Sequence, residues 1–513
     1  MNLKNIKQPF IETFPGDLSK NPIQRNTPKV LFSTIDPVGF DDPKLIVFNE
    51  KLSEEIGLGK LENNDLDFLV GNNLPENITT YATAYAGHQF GNWAGQLGDG
   101  RAIIAGEITN QSGEKNELQW KGAGATPYSR HADGRAVLRS SVREYLMSEA
   151  MHHLGIPTTR ALSLSFTGEN VVRDMMYSGN PQEEKGAVVV RTAESLLRFG
   201  HFELMSAQKE IDTLQKLTDF TIKNYFPEIT SEGEQKYKDF FQSVCTKTAD
   251  LMVEWFRVGF VHGVMNTDNM SILGLTIDYG PFSMMDEYDL NFTPNTTDLP
   301  GRRYAFGKQG QISQWNLWQL ANALFSLIKD EKFLEDTLNS YGTYFWEAHD
   351  NMLCKKFGFD RLLEADEEFF SNWQGLMQEL QLDYTLFFNL LEKTDSIIDL
   401  KTDFQKISYT ILDEVKLKKL ENFLQIYKIR LEKNRISKIE SLDLMNKTNP
   451  KFLLRNYLLF ECIEEINEGK IEMLTKLTKA LENPYEEIFP EFSVKRPSNY
   501  DDISGCSMLS CSS

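Results

Sequence analysis

The chain has 513 residues, 41% hydrophobic and 25% charged, which is the profile of a folded globular protein and excludes a disordered or fibrous one. With 54 Lys and Arg against 74 Asp and Glu, its formal net charge of −20 makes it a poor general partner for nucleic acid or for an anionic membrane surface. Five scattered cysteines do not make a disulfide framework. No stretch approaches the roughly 18 unbroken apolar residues of a membrane span. The first residues, MNLKNIKQPFIETFPGDLSK, lack a secretory apolar core and carry Glu12 and Asp17, so the cytoplasm is the expected compartment.

Residues 1–80 read as a loop-rich N-terminal extension with short strands in VLFSTI and KLIVFN. From Tyr81 the chain is Gly-rich, and it then enters the apolar strand RAIIAGEI; ELQWKGAG is the next strand. Val137, Leu138, Val142, Tyr145, Leu146, Met151 and Leu154 recur at helical spacing, and Gly155 and Pro157 stop that helix. ALSLSF and GAVVVRT are further strands and complete a β-rich part at 81–190. Amphipathic helices follow at 207–227, 235–258 and 313–330, with helical patterning to about 485, giving a helical part at 191–490. Residues 491–513 form a tail in which SGCSMLSCSS holds Cys506 and Cys511. A mobile tail is the simple expectation there, and a redox-active thiol the functional one. The order predicts an α+β chain with a protein-kinase-like bilobal layout: a small β-rich lobe with one main helix, then a large helical lobe.

An ATP site needs backbone N–H groups near the phosphates, a fixed cation, and oxygen ligands for metal. Gly95, Gly98 and Gly100 in GQLGDGR let the backbone approach a phosphate, with Arg101 beside them. Lys121 lies in a strand and Glu144, 23 residues on, lies in the next helix, the arrangement by which a kinase aims a lysine at phosphates. The segment FVHGVMNTDNMSILGLTIDYGPF fits the kinase pattern H-R-D-x-x-x-x-N followed by D-F-G. On that register Asn269 and Asp278 are the metal-binding Asn and Asp, MSILGLTI is an intervening hairpin, and Asp278-Tyr279-Gly280 stands for D-F-G. Val264 stands where the catalytic Asp belongs, and valine accepts no proton. Asp268 is the remaining carboxylate of that loop, a replacement base or a residue that orients the loop. Arg191 and Arg198, at the junction of the two parts, suit an anionic ligand. The polar stretch GAGATPYSRHADGRAVLRSS, with Arg130, Asp133, Gly134, Arg135 and Arg139, reads as a loop over phosphates.

YAGHQFGNWAGQLGDGRA, LQWKGAGATPYSRHADGRAVLRSSVREYL, RTAESLLRFGHFE, GFVHGVMNTDNMSILGLTIDYGPF and the terminal CSS together resemble the selenoprotein O family of pseudokinases, densely from Tyr81 to Phe306 and again in the tail. The resemblance implies a protein adenylyltransferase that binds ATP flipped relative to a kinase. AMP then passes to Ser, Thr or Tyr hydroxyls of target proteins and pyrophosphate leaves; UMP transfer is the variant. It implies nucleotide binding by Gly98, Gly100, Arg101, Lys121, Asp133, Gly134, Arg191, Arg198 and Asp278, and Mg²⁺ or Mn²⁺ held by Asn269 and Asp278. Asp268 becomes the proton acceptor, and Glu144 the partner of Lys121. Some relatives pair a tail cysteine with one in the loop after D-F-G; that loop has no cysteine here, so a Cys506–Cys511 pair and no pair stay equally open. A monomer acting on protein substrates, without nucleic acid or membrane, is expected. The rival readings are a phosphotransferase using Asp268 as base and a non-catalytic ATP-binding scaffold.

Overall fold

Two apolar runs start the architecture. Ala102–Thr109 and Lys115–Lys121 pair antiparallel, and Gln182–Ala193 lies along the far side of Lys115–Lys121. The computed structural model, which describes residues 1–62, 64–393 and 400–510, builds a nine-stranded sheet around this centre. The strand order is Gly16–Asp17, Phe32–Thr34, Tyr81–Thr83, Ala102–Thr109, Lys115–Lys121, Gln182–Ala193, Arg160–Arg173 and Lys44–Phe48, with Ala136–Val137 added against Gln182–Ala193. Strands from residues 16–48 therefore form both edges of the sheet and cover hydrogen-bonding groups that would otherwise template aggregation.

The Leu138–His153 helix buries every residue from Leu138 to Met151. It lies against the Arg160–Arg173 and Gln182–Ala193 strands and also meets the helices Asn456–Asn467 and Glu472–Leu481. Two-sided packing explains why its sequence lacks a clean polar face. After Ala193 the chain is mainly helical, through Phe199–Ala207, Ile211–Tyr225, Glu234–Val258, Gln309–Leu324, Glu331–Lys356 and shorter helices to Leu481. No helix among the described residues is long and apolar enough to cross a membrane. The α+β expectation holds.

Two expectations need correction. MSILGLTI is not a hairpin: Ser271 bridges to Arg198 and Thr276 to Thr158, so its ends bond to different neighbours. The two-stranded ladder at this place pairs Phe260–Val261 with Ser283–Met284 and closes the loop that holds Asn269 and Asp278. The tail is packed through Ser510. Cys506 and Leu509 are fully buried, the Leu509 carbonyl accepts from the Thr296 amide (2.8 Å) and hydroxyl (2.9 Å), and the Ser510 hydroxyl donates to the Met175 carbonyl. Cys511 lies outside the described residues; Cys245, Cys354, Cys462 and Cys506 are buried free thiols.

Candidate active site

The sheet register sets Lys121 opposite Val189 and Gln119 opposite Arg191, so these four residues share one face. That face meets the helix carrying Glu144. The Lys121 ammonium donates to Glu144 Oε2 and lies 3.5 Å from Asp278 Oδ1. Arg191 donates to Glu144 Oε1 (2.7 Å), to Asp278 Oδ1 (2.6 Å) and to Gln119 Oε1 (2.6 Å). Arg198 donates to Asp278 Oδ2 (2.5 Å) and to the Asp268 carbonyl (2.8 Å), with its guanidinium over the Tyr85 ring. Burial alone would raise the Asp278 carboxyl; Arg198, Arg191 and Lys121 reverse this and hold it well below the usual carboxylate range. Glu144 is buried and is likewise held low by Lys121 and Arg191. Asp278 has φ +57°, a left-handed conformation that turns its carboxylate into this cluster.

Lys121, Arg191 and Asp278 line a cleft of about 580 Å³ with Gly98, Gly100, Arg101, Gly134, Asp268 and Asn269. Gly98 has φ +145°, and a side chain there would meet the Tyr128 ring at 2.5 Å and the Thr83 carbonyl at 2.7 Å. Gly134 has φ +71°, and a Cβ there would overlap the Gly124 carbonyl. Gly95, Asp133, Arg139, Glu144 and Arg198, named from sequence, do not line the cleft. Glu144 and Arg198 stand behind it and act on Asp278 and Lys121. Asp133 binds Arg173 through two bonds of 2.8 and 2.6 Å and accepts from the Arg135 amide. Asp133 thus fixes Arg173, which does line the cleft. Arg130 and Arg135 also line it, whereas Arg139 is engaged with Glu184.

Arg173 was missed because the Arg160–Arg173 strand runs past ALSLSF into a polar, largely exposed arm without alternation. Tyr85, Gln89 and Phe90 also line the cleft. They lie in the Gly-rich run, where only the glycines carried a signal.

His262 braces the loop rather than the cleft: its Nε2–H donates to the Ile277 carbonyl (2.9 Å), next to Asp278, and its ring stacks on Trp255. That contact requires the Nε2–H tautomer, since a carbonyl only accepts. Val264 borders the cleft where a kinase base would stand. Asp268 is buried, and its carboxyl is pushed up to about 6 by burial against the pull of Gln89 and Arg198.

Asn269 Nδ2 donates to the Val264 carbonyl (3.0 Å), which leaves its Oδ1 for a cation. Asn269 and Asp278 are thus a hard-oxygen pair on one cleft wall and fit a Mg²⁺-type ion. Among the described residues no three His, Cys, Asp or Glu converge on one point, so such an ion would draw its other ligands from phosphate and water.

A model of the family described as protein adenylyltransferase SelO matches residues 17–482. The chain is similar, over its whole length, to the protein nucleotidyltransferase YdiU of Cytophaga hutchinsonii, at 48% identity and covering 99% of that protein. It is 44% identical to the protein of that name from Flavobacterium johnsoniae, with both chains fully covered. The relative from Azoarcus sp. is 45% identical, with 98% of each chain covered. Similarity of this extent defines the class: the protein is an enzyme, a nucleotidyltransferase. The chain belongs to the SelO family of protein adenylyltransferases.

Proposed function

We propose that the enzyme moves AMP from ATP to Ser, Thr or Tyr hydroxyls of proteins, with the nucleotide flipped relative to a kinase, UTP and UMP being the variant pair. The observation that carries this reading is one cleft whose Asp278 is held by Lys121 and Arg191 from the lining and by Arg198 from behind, while Val264 and Asp268 also line it. A protein kinase carries its catalytic carboxylate at the position that Val264 fills, so γ-phosphoryl transfer here would have to run through Asp268 instead. Lys121, Arg191 and Arg101 suit the phosphates near the reacting centre, and Arg130, Arg135 and Arg173 suit the rest of the polyphosphate under the 122–139 loop.

Asp268 takes the proton of the acceptor hydroxyl. The hydroxyl oxygen bonds to the α-phosphorus, the bond from that phosphorus to the bridging oxygen breaks, and pyrophosphate leaves with the electron pair. Asn269 and Asp278 would hold Mg²⁺ or Mn²⁺, which neutralises phosphate charge when bound. The frame we propose is kinase-like and two-lobed, with 81–190 and 191–490 as the lobes and 1–80 and 491–513 as extensions. It is supported by the sheet-then-helices order and by a cleft lined from both parts. A cytoplasmic monomer completes the reading.

The test is incubation of the purified protein with Mg²⁺ and ATP labelled at the α- or the γ-phosphate, beside Asp278→Ala. Label on protein from the α-phosphate alone, lost in the variant, is expected. Label from the γ-phosphate alone would make the enzyme a phosphotransferase and overturn the reading.

A further inference from the structure

Residues 86–96 form a two-stranded hairpin separate from the main sheet, with Ala86–Gln89 paired to Asn92–Gln96. It is fastened to the loop that carries Asp268. The His88 amide donates to Thr267 Oγ1 (2.7 Å), and the Phe90 amide donates to Asn266 Oδ1 (3.1 Å) and to the Tyr304 hydroxyl oxygen (3.0 Å). Between these points the hairpin meets the Asp268 carboxylate on two sides. Gln89 Nε2 donates to Oδ2 at 3.2 Å. A Cβ on Gly87 would lie 2.6 Å from Oδ1, 2.9 Å from Asp268 Cβ and 3.1 Å from Cγ. Oδ1 is buried and has no hydrogen-bond partner among the described residues. Gly87 is outside the left-handed region, so alanine would suit its backbone and only the collision forbids it.

Resting on the reading of Asp268 as proton acceptor, we infer that this hairpin is the element that positions it, with Gly87 and Gln89 as positioning residues and Oδ2 as the oxygen that meets the hydroxyl. Oδ1 is seated in the slot left by the missing Cβ and cannot reach an acceptor. Oδ2 keeps a lone pair after taking the Gln89 N–H, and that lone pair receives the proton. The hairpin thereby supplies from the β-rich part an orientation that a kinase base obtains within its own loop.

The experiment compares Gln89→Leu, Gln89→Glu and Gly87→Ala with the unaltered full chain and with Asp268→Asn. Initial rates of α-phosphate label incorporation into the chain itself are measured across ATP concentrations, and binding is measured with a fluorescent ATP analogue. A base displaced by about 1 Å costs on the order of 100-fold. The expected result is a kcat 10- to 100-fold lower in all three variants, with KM for ATP and analogue affinity within about twofold. Gln89→Leu keeps most of the bulk and removes the donor, so its loss separates the hydrogen bond from packing, and Gln89→Glu sets a second carboxyl against Asp268 and disturbs the base by charge. Losses confined to KM and analogue affinity, or kcat unchanged in the Gln89 variants while Asp268→Asn is inactive, overturn the inference and leave the base intact. An active Asp268→Asn overturns the base itself.

Discussion

Three cations and two carboxylates meet at the floor of the cleft: Lys121, Arg191 and Arg198 against Glu144 and Asp278. A surplus of one positive charge, largely screened from water, favours an incoming polyphosphate. Asp278 holds the cluster together, so Asp278→Asn should abolish label transfer and also lower stability. Removing one partner of a buried pair costs about 3–5 kcal/mol. Asparagine fits both the volume and the left-handed φ, so chemical denaturation of this variant reads the lost charge and not strain. Unchanged stability would show that the arginines are solvated without Asp278. A second residue-scale expectation concerns Cys506, whose thiol burial raises to about 11. Below that value it stays protonated, so at pH 8 the native protein should leave Cys506 unalkylated by iodoacetamide. Urea should make it reactive, as read from the modified peptide by mass spectrometry. Rapid native alkylation would restore the redox reading for this residue. At this scale the Lys121–Glu144 pair and the meeting of Asn269 and Asp278 in one cleft were legible because they follow from spacing within or between regular elements. Gln89 was not, because a glutamine in a Gly-rich turn shows its partner only after folding.

At the scale of elements, legibility followed periodicity. The Leu138–His153 helix was found from its spaced apolar residues although it is buried nearly all round. The Phe199–Ala207 helix was missed because FGHFELMSA is buried through most of its length and too short to display a period. MSILGLTI read as a hairpin because an apolar run around a glycine looks like two strands, whereas the bonding partners are distant in sequence. The loop over the cleft closes through the Ala123–Arg135 bridge and the Gly124–Gly134 contact, which together hold Arg130 and Arg135 at the rim. Gly134→Ala should therefore introduce about 1–3 kcal/mol of strain. It should weaken fluorescent ATP binding by roughly tenfold or more through the displaced arginines. Binding unchanged beside a lowered melting temperature would mean that the loop does not touch the nucleotide.

Across the whole molecule the end of the chain ties parts that lie far apart in sequence. Leu509 bonds to Thr296 in the segment after Asp278, Ser510 bonds to Met175 in the long β arm, and Gly505 lies against Met175 and Arg139. Arg496 adds an ion pair to Asp286, which Arg455 also binds. None of this was legible in a Ser-rich tail, because its anchoring rests on backbone groups, the Ser510 hydroxyl and the two buried side chains Cys506 and Leu509, which share no period. Burying a leucine side chain is worth about 1.5–3 kcal/mol, and the backbone bonds add to that. Deleting residues 503–513 should thus lower stability by about 3–5 kcal/mol. Hydrogen exchange should rise in peptides spanning 283–298 and 172–178, while the Lys115–Lys121 strand stays protected. Faster exchange in the first two segments together would follow from the loss of one shared anchor. Faster exchange in the 283–298 segment alone would assign the tail to the helical part and leave the β arm held by Asp133–Arg173.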